Sequence, residues 1–206
     1  MRGVLITFEG VEASGKTTQL MNVKRHLERL RKKVARTREP DGTGLGVAIR
    51  GLFGRERPRI DPVAELFLFL AARSQHVVEV IEPLLRQGTI VLCDRYTDST
   101  VAYQGYGRGI DLDLIRELNA RATRGVVPDL TLLFDLKPEI ALGRIVGRRL
   151  DRIEKARMAF HQRVRKGYLQ ILRDEPKRVR LIPAARPAYQ VRVDVENIIE
   201  NFVAGA

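Results

Sequence analysis

The sequence predicts an α/β fold with a parallel sheet covered by helices on both faces, and two observations carry the prediction. Short apolar runs alternate with stretches of helical periodicity along the chain. The first run, Val4 to Phe8, leads into Gly10-Val11-Glu12-Ala13-Ser14-Gly15-Lys16-Thr17, after which a helical pattern begins. That stretch satisfies G-x-x-x-x-G-K-[ST] at every fixed position and lies where such a loop must lie, between a strand and a helix. Gly10 and Gly15 let the backbone curl until successive N–H groups point into one hollow that can hold phosphate oxygens. The helix that follows adds the positive end of its dipole. Lys16 then reaches the β- and γ-phosphates of ATP, and the Thr17 hydroxyl takes a place on Mg²⁺. With Thr18, the whole loop forms the expected ATP-binding set. By itself the loop argues for nucleotide binding, since switches, pumps and kinases share it.

After the loop, Leu20, Val23, Leu27 and Leu30 recur at helical spacing, opposite Lys24, Arg25, Glu28 and Arg31. Val34 to Thr37 reads as a second strand, and the turn formers of 38–44 follow at its carboxyl end, where open α/β sheets bind ligands. A short helical stretch to about Phe53 carries Arg50. Pro62 opens a long helix through Leu85 whose buried stripe is Leu66, Leu70, Val77, Ile81 and Leu84. Thr89 to Cys93 is a third strand closing on Asp94, a carboxylate placed to hold Mg²⁺ or its waters. Leu130 to Leu136 and Val179 to Pro183 are the fourth and fifth strands. Pro138 begins a helix, 151–173 is helical, and Val191, Val195, Ile198 and Phe202 mark a closing helix.

Length and composition bound the rest. The 206 residues, 44% of them hydrophobic, suit one α/β core, and no linker or repeat divides the chain, so a single domain over 1–206 is expected. Lys and Arg outnumber acids 37 to 25, a +12 balance that suits polyanionic ligands such as nucleotides or nucleic acid. The bases are nonetheless spread along the chain and lack an aromatic-interleaved strand or a reading helix, which argues against nucleic acid as a partner. Cys93 is the sole cysteine, and the three histidines lack ligand spacing, so neither an intrachain disulfide nor a zinc site is expected. No span reaches membrane-helix length and no signal peptide opens the chain, which makes the expected location cytoplasmic.

Two further stretches narrow the reading: Phe69-Leu70-Ala71-Ala72-Arg73 and the run from Asp94-Arg95-Tyr96 to Tyr103-Gln104-Gly105. Together with Phe8-Glu9-Gly10, Arg38-Glu39-Pro40, Asp151-Arg152-Ile153-Glu154 and Gly167-Tyr168-Leu169, they resemble thymidylate kinase over almost the whole chain. The resemblance implies a P-loop fold of the nucleoside monophosphate kinase type, a five-stranded parallel sheet with a small lid at about 143–154. It implies transfer of the γ-phosphoryl group of ATP to dTMP, with Mg²⁺ required, and a homodimer.

It also implies roles. Phe69 would stack on thymine and Arg73, one turn on, would donate to a base carbonyl. Arg95, helped by Arg50, would hold the dTMP phosphate. Glu12 would meet the sugar 3′-hydroxyl and a nearby arginine. Ser99 and Thr100 would face the pyrimidine edge and Tyr103 the sugar, with Glu39, Pro40 and Gln104 completing the acceptor site. Residues 11–14 hold no arginine, whereas Arg144, Arg148, Arg149 and Arg152 cluster at the expected lid, so the chain is similar to the bacterial branch that supplies its mobile cation from there. Asp41 replaces a common glycine, the lid is compact, and Ile182-Pro183-Ala184-Ala185 lacks a common acid. Two other readings stay open at this stage: a kinase for another nucleoside monophosphate or a deoxynucleoside, and a non-catalytic nucleotide switch or nucleic-acid-binding module.

Overall fold

A computed structural model describes residues 2–54, 60–144 and 157–205. Five strands, β1 (Leu5–Glu9), β2 (Val34–Arg38), β3 (Ile90–Asp94), β4 (Leu130–Asp135) and β5 (Val179–Pro183), form one parallel sheet in the order β2-β3-β1-β4-β5. The three central strands are almost wholly buried, as near-continuous apolar runs must be when helices cover both faces. Each strand falls within a residue or so of its sequence expectation. β1 and β3 each reach one residue further than their apolar run, so that each ends on an acid.

Helices α1 (Lys16–Arg29), α2 (Gly44–Leu52) and α3 (Pro62–His76) follow the expected order. Leu20, Val23 and Leu27 are buried, but Leu30 is half exposed because it caps α1 and the chain turns away at Arg31, whose φ is 55°. The expected long helix continues past α3, but through a π turn, Val77–Ile81, before α4 (Glu82–Arg86). Pro83 has no N–H to offer Glu79 and its ring would meet that carbonyl, so the turn widens and Glu82 N–H bonds to Val77 O. The extra residue shifts the buried stripe, which now ends on Leu85 in place of Leu84.

Periodicity gave no sign of α5 (Thr97–Thr100), a second π segment (Val101–Gly107) or α6 (Leu112–Thr123). Beyond β4 come α7 (Pro138–Gly143), α8 (Met158–Asp174) and α9 (Ala188–Ala204), which buries Val191, Val195 and Ile199 and packs the expected Ile198 and Phe202, partly buried, against the same core. The second π segment and α8 meet through two glycines. A Cβ on Gly107 would lie 2.7 Å from Phe160, and one on Gly167 would lie 2.8 Å from Tyr106.

That contact sets how closely α8 approaches the second π segment and gives a stability test. Gly167→Val inserts bulk against the rigid part of the Tyr106 side chain and is expected to destabilise the fold by about 1–3 kcal/mol, read as a lower urea midpoint at unchanged m-value.

Candidate active site

The carboxyl ends of β1, β2 and β3 open into one cleft of about 130 Å³. Parallel pairing sets Phe8 opposite Asp94, so the glycine-rich loop after β1 lies beside the Asp94-Arg95 turn after β3. Gly10 has φ 138°, and a Cβ there would come within 2.4 Å of the Phe134 carbonyl, so the loop's first position accepts only glycine. Ala13 (φ 54°) and Gly15 (φ 87°) complete the curl. Lys16, nearly buried, donates to Val11 O at 2.9 Å and so lies across its own loop. Burial, followed by the charge of Arg95, lowers its pKa. The Ser14 hydroxyl is buried with no hydrogen-bond partner among the described residues, and Thr17 Oγ1 lies 2.5 Å from Asp94 Oδ2.

On the far wall, Phe69 from α3 stacks on the buried Phe53 with centroids 4.8 Å apart, and it lines the cleft. Arg73, on the same face of α3, is held by five N–H bonds: two to Glu39 Oε2 (2.9 and 2.6 Å), and one each to Thr100 Oγ1 (2.7 Å), Asn119 Oδ1 (2.6 Å) and Tyr96 O (2.9 Å). Burial would drive the Glu39 carboxyl upward, but Arg73 first and then His76 outweigh it and hold the pKa below normal. Gln104 donates to Glu65 at 3.0 Å, and Arg108 also clamps that carboxylate.

Arg95 stands between these walls. Its backbone adopts φ 71°, outside the usual range for a side-chain-bearing residue, and its guanidinium stacks over the Tyr103 ring at 5.0 Å. One terminal nitrogen pairs with Glu12 and donates to Tyr103 OH at 3.2 Å. The other reaches Gly10 O, Ser99 Oγ and Tyr168 OH at 3.2–3.3 Å. Burial would raise the Glu12 pKa, but Arg95, Lys16 and Arg50 outweigh it and hold the carboxyl at about 2. An acid in an anion-binding loop is therefore kept ionised by the cations that a phosphate would also meet.

Of the expected acceptor residues, Glu12, Glu39, Pro40, Arg50, Phe69, Arg73, Arg95, Ser99, Thr100, Tyr103 and Gln104 all line this cleft, as do Lys16, Thr17 and Asp94. Arg144 lies at the loop's edge, donating to Ala13 O and Ala184 O at 3.2 and 3.1 Å. Arg148, Arg149 and Arg152 lie outside the described residues.

Three neighbours were not expected. Arg38 lines the cleft and pairs with Asp41 at 3.3 Å. Tyr168, from α8, reaches into the site. Glu9, at the end of β1, is fully buried and accepts from Tyr96 N–H, Ser99 Oγ–H and Tyr168 O–H at 2.7, 2.6 and 2.9 Å. Burial, and next the negative Asp98, push its pKa up to about 7. Its sequence signal was available: an acid closing an otherwise apolar strand immediately before a phosphate loop.

Comparison with known proteins agrees with this geometry. The thymidylate kinase family profile matches residues 8–195. The thymidylate kinase of Carboxydothermus hydrogenoformans is 47% identical over 203 residues, 98% of this chain and 99% of that protein. That of Solidesulfovibrio magneticus is 51% identical over 191 residues, 88% and 91% of the two chains. The crystal structure of thymidylate kinase from Ehrlichia chaffeensis superposes with a TM-score of 0.80 at 36% identity, covering 97% of this chain and 99% of that one. With the profile spanning most of the chain and relatives near half identity matching it almost end to end, the chain belongs to the thymidylate kinase family.

Proposed function

We infer that the cleft transfers the γ-phosphoryl group of ATP to dTMP, giving dTDP and ADP, and that the chain acts as a single catalytic domain supplying the path to dTTP. The observation that carries this reading is the common opening of a phosphate loop and a wall of acceptor-facing cations into one cleft. ATP lies along residues 10–18, its phosphates cradled by backbone N–H groups and Lys16, with the orphaned Ser14 hydroxyl available to a phosphate oxygen. dTMP occupies the far wall. Phe69, backed by Phe53, offers its ring to thymine, and Arg73, whose five N–H groups are held by four protein acceptor atoms, shares one of those hydrogens with a base carbonyl. Arg95 and Arg50 take the acceptor phosphate, Glu12 the 3′-hydroxyl, and Tyr103 the sugar face. No general base is needed, because the acceptor phosphate is already ionised and the site works by positioning and by cancelling repulsion between two anions.

Thr17 and Asp94 suit Mg²⁺. Both offer hard oxygen ligands, and a pair of them is what this ion takes when phosphates and waters complete its shell. Bound there, Mg²⁺ would neutralise charge on the transferring phosphate. The remaining cation comes from Arg148, Arg149 or Arg152 of the expected lid at 143–154. The chain works as a homodimer in the cytoplasm. Val63, Phe67 and Ala71 form an exposed stripe on α3, and a second copy would cover that apolar face. No helix among the described residues is long and apolar enough to cross a membrane.

Three measurements test this reading. Incubation with ATP, Mg²⁺ and each of dTMP, dUMP, dCMP and dGMP is expected to yield dTDP fastest. Loss of one methyl contact should leave dUMP with kcat/KM lower by roughly 10- to 200-fold, and dCDP or dGDP as main product would overturn the assignment. Single-turnover rates for Arg148→Ala, Arg149→Ala and the double variant are expected to fall by about 10³-fold or more in at least one; near-normal rates in all three would discard the lid cation. Sedimentation of Phe67→Glu should show monomer where the parent chain sediments as dimer.

A further inference from the structure

Glu9 carries a cost that the core gains nothing from. It is fully buried, it makes no ion pair among the described residues, and all three of its hydrogen-bond donors are neutral. The direction of those bonds is what matters. Arg95 can only donate, so Ser99 Oγ and Tyr168 OH, at 3.2 and 3.3 Å from its guanidinium, must turn lone pairs toward it. Each hydroxyl has a single proton; the two oxygens also lie 2.9 Å from each other, but neither has to accept from the other, because Glu9 Oε2 can accept both protons, at 2.6 and 2.9 Å. Its other oxygen takes the Tyr96 N–H at 2.7 Å, pinning the turn from which Arg95 projects.

We propose that Glu9 is the positioning residue of the acceptor-phosphate site: it fixes the proton directions of Ser99 and Tyr168 so that both oxygens hold the Arg95 guanidinium in place for the incoming phosphate. The proposal rests on Arg95 being the acceptor-phosphate ligand. It assigns Glu9 no contact with substrate and no proton transfer. Its logic makes the isosteric amide unsuitable in either orientation. With the amide nitrogen toward Tyr96, two N–H donors face each other. With it toward the hydroxyls, those oxygens accept from both sides, and at least one hydroxyl proton is driven toward a donor. Shape is kept and direction is lost.

The test is Glu9→Gln in the full-length protein, with KM measured separately for dTMP and ATP, dTMP binding measured without ATP, and the same substitution repeated in an Arg95→Met background. Glu9→Gln is expected to raise the dTMP KM and weaken dTMP binding by about 10- to 100-fold, the effect of losing one charge-assisted hydrogen bond, while the ATP KM changes less than threefold. In the Arg95→Met background it is expected to add no further loss, since its effect acts through Arg95. Ser99→Ala and Tyr168→Phe should each reproduce part of the dTMP effect, which keeps the test decisive even where Glu9→Gln folds poorly. Equal damage to both nucleotides, or full additivity with Arg95→Met, overturns the positioning role and leaves Glu9 as part of the scaffold. If Arg95→Met binds dTMP normally, the assignment of Arg95 itself is wrong and the proposal falls with it.

Discussion

Parallel pairing of β1 with β3 is the constraint on which the rest of the molecule depends. Setting Phe8 opposite Asp94 brings two chain turns, remote in sequence, to the same edge of the sheet. One turn offers backbone N–H groups and Lys16, the other a carboxylate and Arg95. A one-residue slip would reverse every side chain of β1 across the sheet, burying Glu9 on the wrong face and parting Thr17 from Asp94. The buried apolar runs of the central strands forbid that slip, so hydrophobic patterning far from the chemistry sets its geometry.

The second requirement is charge balance in a site that must stand without ligand. Lys16, Arg38, Arg50, Arg73 and Arg95 line one cleft, and such crowding is stable only because carboxylates are interleaved among them. Glu12 faces Arg95, Glu39 holds Arg73, and Asp41 pairs with Arg38. On the reading proposed above, a phosphate joins cations that are already buried among carboxylates, so much of their desolvation has occurred before it binds.

Much of this was legible in the sequence because the strands are short unbroken apolar runs and the phosphate loop has fixed spacing. The residues of the second wall were legible through the resemblance of two stretches, Phe69 to Arg73 and Asp94 to Gly105, and not through periodicity. The segment from Thr97 to Gly107 escaped because its side chains serve the site and its turns are partly of π type, so no 3.6-residue stripe exists to be read. Pro83 produced a similar shift in the long helix, moving burial from Leu84 to Leu85. Glu9 and Tyr168 stand in stretches that carry the resemblance yet drew no role from it: alone, one is a strand-end charge and the other a helical aromatic, and their contact is made by the fold.

The saturation of Arg73 has a consequence for anyone designing molecules to occupy the cleft. Its five hydrogens are engaged by Glu39, Thr100, Asn119 and Tyr96 before any pyrimidine arrives. An inhibitor therefore finds no idle donor on that edge and must share or displace an acceptor already in place. Extra oxygen atoms there should add little affinity, and surface matched to the Phe69 ring is the more productive place for a chemist to elaborate.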